Sequence, residues 1–101
     1  MIVIRWQAPL KPTKEQALMI FRAEELQPRE EILTKDQEYP VDKHPFDEIR
    51  MVLEGELTMN INGNQLLLRS GDKIVIPSNT KHSQKVLGEA PCLCIVANKP
   101  F

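Results

Sequence analysis

The sequence predicts an all-β barrel or sandwich that is preceded by a single helix. Short apolar segments recur at intervals of about 8–12 residues and are separated by turn residues, which is typical of antiparallel β-structure. The dipeptide Asn62-Gly63 separates two of these segments and favours the type I′ turn of a β-hairpin, because both central positions of that turn need positive φ. Only one segment has the spacing of a helix, so a βαβ fold is not expected.

The helix is predicted within residues 11–26. Thr13 is a suitable N-cap, and Gln16 stands three positions later, where its side chain completes a capping box. Apolar residues then repeat at near-helical spacing, as in Ala17 and Phe21.

The other predicted elements are strands, each a short run with aliphatic residues and turn or charged residues at its ends. They cover residues 32–34, 49–53, 56–61, 65–69, 73–76 and 93–96. We expect one domain, in which residues 1–30 supply an N-terminal strand and the helix, packed on a barrel of residues 31–101.

Composition narrows the classes of function. Lys and Arg number 13 and Asp and Glu 14, so the formal net charge is -1. A nucleic-acid surface is not expected, because it would need a basic excess or stripe. No apolar run approaches the ~20 residues that span a bilayer, so we expect no membrane association and a cytoplasmic protein by default. Cys92 and Cys94 are too close for an unstrained disulfide.

Two histidines and two acidic residues are the candidates for a metal site. His44 and His82 are the only histidines, and Asp42 and Glu48 flank the first of them. Two imidazoles and a carboxylate from different strands are sufficient to bind a divalent transition metal. On spacing alone, however, two distant histidines are better explained as surface residues.

The residues around the two histidines favour the metal site over the interpretation as surface residues. A known family pattern reads Gly, five residues, His-x-His, three or four residues, Glu, six residues, Gly. Asp36, Asp42, His44, Glu48 and Gly55 stand at its five fixed positions, so that aspartate replaces the first glycine and the first histidine.

The second pattern of the same family reads Gly, five residues, Pro-x-Gly, two residues, His, three residues, Asn. Gly71, Pro77 and His82 match it, whereas Asn79 stands at the second glycine and Val86 at the final asparagine. Asparagine tolerates the left-handed backbone region better than other non-glycine residues, so the change at Asn79 is mild. On these two motifs the chain resembles the cupins, in particular small single-domain cupins with an N-terminal helix.

The resemblance implies a jelly-roll, or double-stranded β-helix, barrel and a homodimer. It also implies a metal site, held in most metal-binding cupins by three His and one Glu. Here His44, Glu48 and His82 would bind Fe, Mn, Zn or Ni, with Asp42 as a fourth ligand in place of the first histidine. If the protein is an enzyme, the resemblance implies oxygenase, isomerase or decarboxylase chemistry on a small molecule. The alternative is a metal-free ligand-binding or sensing cupin, which the change at Asp42 favours.

Strand alternation adds a candidate for substrate binding. If Glu48 points into the barrel, Arg50 points inward too, where it could bind a carboxylate or phosphate in two-point fashion. The favoured alternative is an arginine at the barrel mouth that reaches solvent or pairs with Asp47.

The same alternation places three apolar residues, Ile49, Met51 and Leu53, on the outside of the barrel. An apolar strip of this kind needs a cover. The sequence offers two candidates, the N-terminal helix or a second subunit.

Overall fold

The computed structural model describes residues 1–99, which form nine strands and one helix. In chain order these elements are β1 (Ile2–Ile4), α1 (Lys14–Ala23), β2 (Arg29–Leu33), β3 (Tyr39–Asp42), β4 (Asp47–Glu54), β5 (Glu56–Ile61), β6 (Asn64–Leu68), β7 (Lys73–Ile76), β8 (His82–Leu87) and β9 (Cys92–Lys99). Residues 100 and 101, the end of the predicted barrel segment, lie outside the described residues.

The strands form two antiparallel sheets. One has the order β1-β7-β4-β9-β2 and the other β3-β8-β5-β6. Aliphatic side chains from both sheets, among them Val52, Leu57 and Ile74, are buried together and fill the barrel. The predicted all-β barrel with one helix is confirmed.

The helix α1 begins as its sequence predicts. The Thr13 side chain accepts the Gln16 backbone N–H, and the Gln16 side chain accepts the Thr13 backbone N–H, so the capping box is complete. Ala17 and Phe21 are fully buried on the face of α1 that packs against the barrel.

The helix also provides the cover for the apolar strip. Ile49, Met51 and Leu53 are buried in one cluster with Ala17 and Phe21. Their alternation with inward-facing residues along β4 is confirmed. The physical reason for expecting a second subunit at this strip is thereby removed.

The β5–β6 hairpin turns at Asn62 and Gly63, where φ is 50° and 88°. Strands β3 and β8 were not predicted, and their composition gives the reason. β3 contains Pro40, which a sheet tolerates at an edge such as this one. The first four residues of β8, residues 82–85, are all polar, so neither strand has the aliphatic run that marks the others.

The N-terminal segment is fixed to the barrel at Asp72. Its carboxylate accepts hydrogen bonds from Arg5 Nη1 at 2.8 Å, the Trp6 backbone N at 3.1 Å and the Arg69 backbone N at 2.9 Å. Burial acts to raise the pKa of Asp72, but the bonds from Arg69, Trp6 and Arg5 hold that pKa below its usual value.

Replacing Asp72 with asparagine should lower the free energy of unfolding at neutral pH by about 1–3 kcal/mol, because donors to a charged acceptor lose their partner. A carboxylate with a lowered folded pKa stabilises the protein above its unfolded pKa, and that contribution disappears as the pH falls through the folded pKa. The stability difference between wild type and variant should therefore shrink below about pH 4.

Urea unfolding at several pH values measures this difference. Asp36→Asn, which removes an exposed carboxylate, is the control and should change stability little. A difference that is constant with pH would show that the charge of Asp72 is not what stabilises the contact.

Among the described residues, no helix has the length and apolarity needed to cross a membrane.

Candidate metal centre

His44, Glu48 and His82 converge although they lie on different elements. His44 stands in the connection between β3 and β4, Glu48 in β4, and His82 at the start of β8. Each residue offers one ligand atom, and these atoms all lie within 4.8 Å of one another. His44 Nε2 is 4.0 Å from Glu48 Oε1. The structure therefore brings together three of the four predicted ligands.

Backbone contacts fix the two motifs to each other. The Asn79 N–H donates to the His44 carbonyl at 2.6 Å, and the Ser78 N–H donates to Asp47 Oδ1 at 2.9 Å. Asn79 has a φ of 58°, in the left-handed region, as its place in the second motif predicts. The loop before His82 is thus held against the segment that carries His44.

The imidazole rings are oriented by their neighbours. His82 Nδ1 lies 2.9 Å from the Thr80 carbonyl. Because a carbonyl can only accept, this contact assigns the proton of the neutral imidazole to Nδ1 and leaves the lone pair of Nε2 for a metal. The His44 ring stacks on Phe46 at 4.9 Å and meets the His82 ring edge-on at 5.1 Å.

Arg50 lies behind the cluster and contacts its carboxylate. Its side chain is only 3 % exposed; Nε is 3.3 Å from Glu48 Oε2, and Nη2 is 2.9 Å from Glu31 Oε1. Nη1 is buried and has no hydrogen-bond partner in the described structure. Burial acts to lower the pKa of Arg50, but the neighbouring charges, Glu48 foremost, raise it above the usual value.

These contacts correct the interpretation that Arg50 sits at the barrel mouth beside Asp47. The strand points Arg50 inward, and Asp47 instead accepts the Ser78 N–H. The two oxygens of Glu48 consequently face different partners, Oε1 the His44 imidazole and Oε2 the guanidinium. One oxygen is available to a metal while the other is held by Arg50.

A cavity of about 380 Å³ opens over the cluster. Fourteen residues line it: Arg29, Glu31, Glu38, Tyr39, Pro40, Val41, Asp42, His44, Phe46, Glu48, Arg50, His82, Ser83 and Gln84. A larger groove of about 740 Å³ lies between the loop before β3 and strands β5 and β8, and it contains none of the three clustered residues. The smaller cavity is therefore the one relevant to metal chemistry.

Asp42 lines this cavity but does not belong to the ligand cluster. It is exposed, and its Oδ1 accepts the backbone N–H of Lys43 at 2.8 Å. Strand β3 ends at Asp42, so the alternation that would align it with His44 does not continue. Asp42 pairs with His82 across β3 and β8 without directing its carboxylate into the cluster.

Glu31 lines the cavity and contacts Arg50, and the sequence patterns did not identify it. The strand was predicted from residue 32, whereas β2 begins at Arg29. Leu33 is buried, and Glu31 lies two residues before it, on the same face. A longer predicted strand would have placed Glu31 inside the barrel.

The two cysteines do not join the cluster. Cys92 and Cys94 are free, buried in the barrel core and 3.7 Å apart at their sulfur atoms. Two aromatic residues, Tyr39 and Phe46, line the cavity. Trp6 packs elsewhere, over Gly71.

Comparison with known proteins identifies the family. The family model described as a cupin domain matches residues 29–98, and this protein therefore belongs to the cupins. A comparison with curated proteins found no match.

Solved cupin-like structures share the fold. An RmlC-like cupin from Shewanella frigidimarina is 24% identical with a TM-score of 0.65, and the match covers 75% of this chain and 67% of that one. Hydroxypropylphosphonic acid epoxidase from S. wedmorenis, in complex with fosfomycin, is 25% identical with a TM-score of 0.63, covering 76% and 45%. A structure of FeII HppE is 24% identical with a TM-score of 0.64, covering 76% and 44%. The match thus spans less than half the length of the chains in these last two structures.

The donor set suits a divalent transition metal. Two imidazole nitrogens and one carboxylate oxygen form the combination found at sites that keep open coordination positions for other ligands. The hydrogen bonds at His82 Nδ1 and Glu48 Oε2 orient the candidate ligand groups, as metal sites commonly require.

Proposed function

We propose that this cupin binds one divalent transition metal ion through His44, Glu48 and His82. Fe, Mn, Zn and Ni all accept these ligand types. The observation that carries the proposal is the convergence of the three ligand atoms within 4.8 Å, at the wall of a cavity large enough for a small molecule. A bound metal would supply Lewis acidity or oxygen activation.

The cavity is proposed to bind a small polar molecule with an anionic group. Arg50 supports this, because it is a buried cation on the cavity wall and guanidinium groups pair well with carboxylates and phosphates. The epoxidase with the same fold is named for a phosphonic acid, which is also an anion. Oxygenase, isomerase or decarboxylase chemistry are the reaction classes we propose for an enzyme of this kind.

A metal-free ligand-binding or sensing cupin is the second candidate. Asp42 favours it, because the family pattern has a histidine there and the aspartate lies outside the cluster. In this candidate Arg50 still binds an anion, but His44 and His82 bind no ion.

Metal binding to the wild type should raise the melting temperature. An ion that binds only the folded chain adds ~2.7 kcal/mol of stability at a hundred times its Kd. The response should weaken from about pH 7.5 to about pH 5.5, because a protonated imidazole cannot bind a metal. His82→Ala should abolish it. Calorimetric titration and thermal unfolding with Mn, Fe, Zn and Ni measure both effects.

Two variants serve as controls for this titration. Gln84→Ala changes another cavity residue of β8, and Asp42→Asn removes the carboxylate that lies outside the cluster. Both should keep the metal response. A response that survives in His82→Ala would reject the site, and one weakened in Asp42→Asn would restore Asp42 as a ligand.

The homodimer remains a proposal that rests on the family resemblance. The apolar strip that motivated it is covered by α1, so a charged residue at Met51 should now disturb the fold itself. Light scattering at micromolar concentration tests the dimer directly, and a monomer would contradict it.

A further inference from the structure

The guanidinium of Arg50 is shared by two carboxylates whose surroundings differ. Glu48 is enclosed, with 7 % of its side chain exposed, whereas the Glu31 side chain at the rim of the cavity is 31 % exposed. Glu31 contacts Arg50 through Oε1 and Nη2 alone, at 2.9 Å. The other terminal nitrogen, Nη1, has no hydrogen-bond partner among residues 1–99.

We propose that Glu31 occupies the anion-binding side of Arg50 in the ligand-free protein and that a ligand carboxylate displaces it. The inference rests on the proposed function, in which the cavity takes a small anionic molecule, and it names the class of that molecule as a carboxylate. One carboxylate then replaces another, so the charge next to Arg50 is unchanged.

Displacing Glu31 from Arg50 costs less free energy than displacing Glu48 would. A carboxylate that is about one-third exposed, as Glu31 is, can turn into water with little loss, because ion pairs that remain in contact with solvent contribute little stability. The Glu48 carboxylate has no comparable access to water. Arg50 itself is buried, and although Glu48 would still contact Nε, loss of Glu31 would leave both terminal nitrogens without a hydrogen-bond partner in residues 1–99, which is destabilising for a buried group. Glu31 therefore keeps the guanidinium satisfied until a ligand arrives.

The Nη1 atom, which has no hydrogen-bond partner in the described structure, explains how a ligand carboxylate can bind Arg50 more strongly than Glu31 does. The two terminal nitrogens of a guanidinium match the two oxygens of a carboxylate, and the paired contact is stronger than a single one. Glu31, reaching across from β2, uses one of these nitrogens. A free carboxylate that takes its place can satisfy both.

Glu31→Gln tests the proposal with acetate as the probe. The variant keeps the shape of the side chain but removes the competing charge, so acetate should bind about tenfold more tightly than to wild type. Its melting temperature should be lower than that of wild type without acetate and should rise more steeply with acetate. The matched control is Glu30→Gln, which makes the same charge change at the neighbouring position of β2, beside Lys14 on the other face of the sheet. It should bind acetate as wild type does.

The titrations are performed on chelator-treated protein and again with Mn present, so that a failure of metal binding is seen separately. The metal titration of Glu31→Gln should match that of wild type. Acetate affinity in Glu31→Gln that equals or falls below the wild-type value would overturn the proposal, whether or not the protein binds metal. So would an equal gain in Glu30→Gln.

Discussion

Replacing Gly71 with alanine should lower the free energy of unfolding by more than about 3 kcal/mol, because backbone strain and overpacking add at this position. Gly71 has a φ of 95°, which L-residues rarely adopt. A Cβ there would also overlap the Trp6 side chain. The ring has little freedom to move, since the Trp6 backbone is bound to Asp72 and its Nε1 donates to the Leu10 carbonyl at 2.7 Å.

Chemical denaturation of two glycine variants separates the two contributions. Gly88 has a similar φ of 88°, but a Cβ there would meet no atom of the described part of the chain within 4 Å. Gly88→Ala should therefore show the backbone strain alone, about 1–2 kcal/mol. Adding Trp6→Ala to Gly71→Ala should recover part of the lost stability relative to the sum of the single changes. Equal losses in the two glycine variants would mean that the Trp6 contact is unimportant.

Phe21→Ala should destabilise the domain by about 3–5 kcal/mol, the range for removing a fully buried aromatic side chain. Phe21 is the largest buried residue of α1, and it packs on the outer face of β4 against Ile49, Met51 and Leu53. Its loss leaves a cavity under the helix and weakens the only cover of that strip in the described structure. We expect a lower midpoint of urea unfolding.

Met19→Ala is the matched control, because Met19 lies on the same helix with 68% of its surface exposed. It should change stability by no more than about 0.5 kcal/mol. If the two helix variants behaved alike, α1 would not be the element that stabilises the outer face. A drop in the urea m-value would instead show that the helix detaches before the barrel unfolds.

The features predicted correctly from the sequence are those determined by interactions between residues that are close together in the chain. The capping box at Thr13 and the turn at Asn62-Gly63 depend on residues within one turn of chain. The alternation along β4 places Arg50 inside and Met51 outside, because one buried face fixes the parity of a strand.

Other features depend on contacts that no local pattern reveals. The packing of Trp6 on Gly71 joins the N-terminus to the middle of the chain. β3 and β8 form because each finds a pairing partner, and their own composition does not mark them as strands.

In the candidate site, too, some residues could be predicted from the sequence and others could not. The family motifs predicted His44, Glu48 and His82, and the structure brings these three together. Asp42 was placed by analogy with a histidine position, but the strand ends there and the side chain turns to the Lys43 N–H. Glu31 was missed because the start of β2 carries charges where a strand pattern would show apolar residues.

Those charges on β2 have a consequence for colloidal behaviour. β2 is an edge of the five-stranded sheet, and an edge strand can add a strand from another molecule. Arg29, Glu30 and Glu31 in succession oppose such growth, because a docking strand would have to desolvate these charged side chains. The residue that faces Arg50 is thus also one of the residues that protect the edge. Redesigning the cavity for apolar ligands through Glu31 would weaken this protection against fibrous self-association, and a new charge elsewhere on β2 would be needed to restore it.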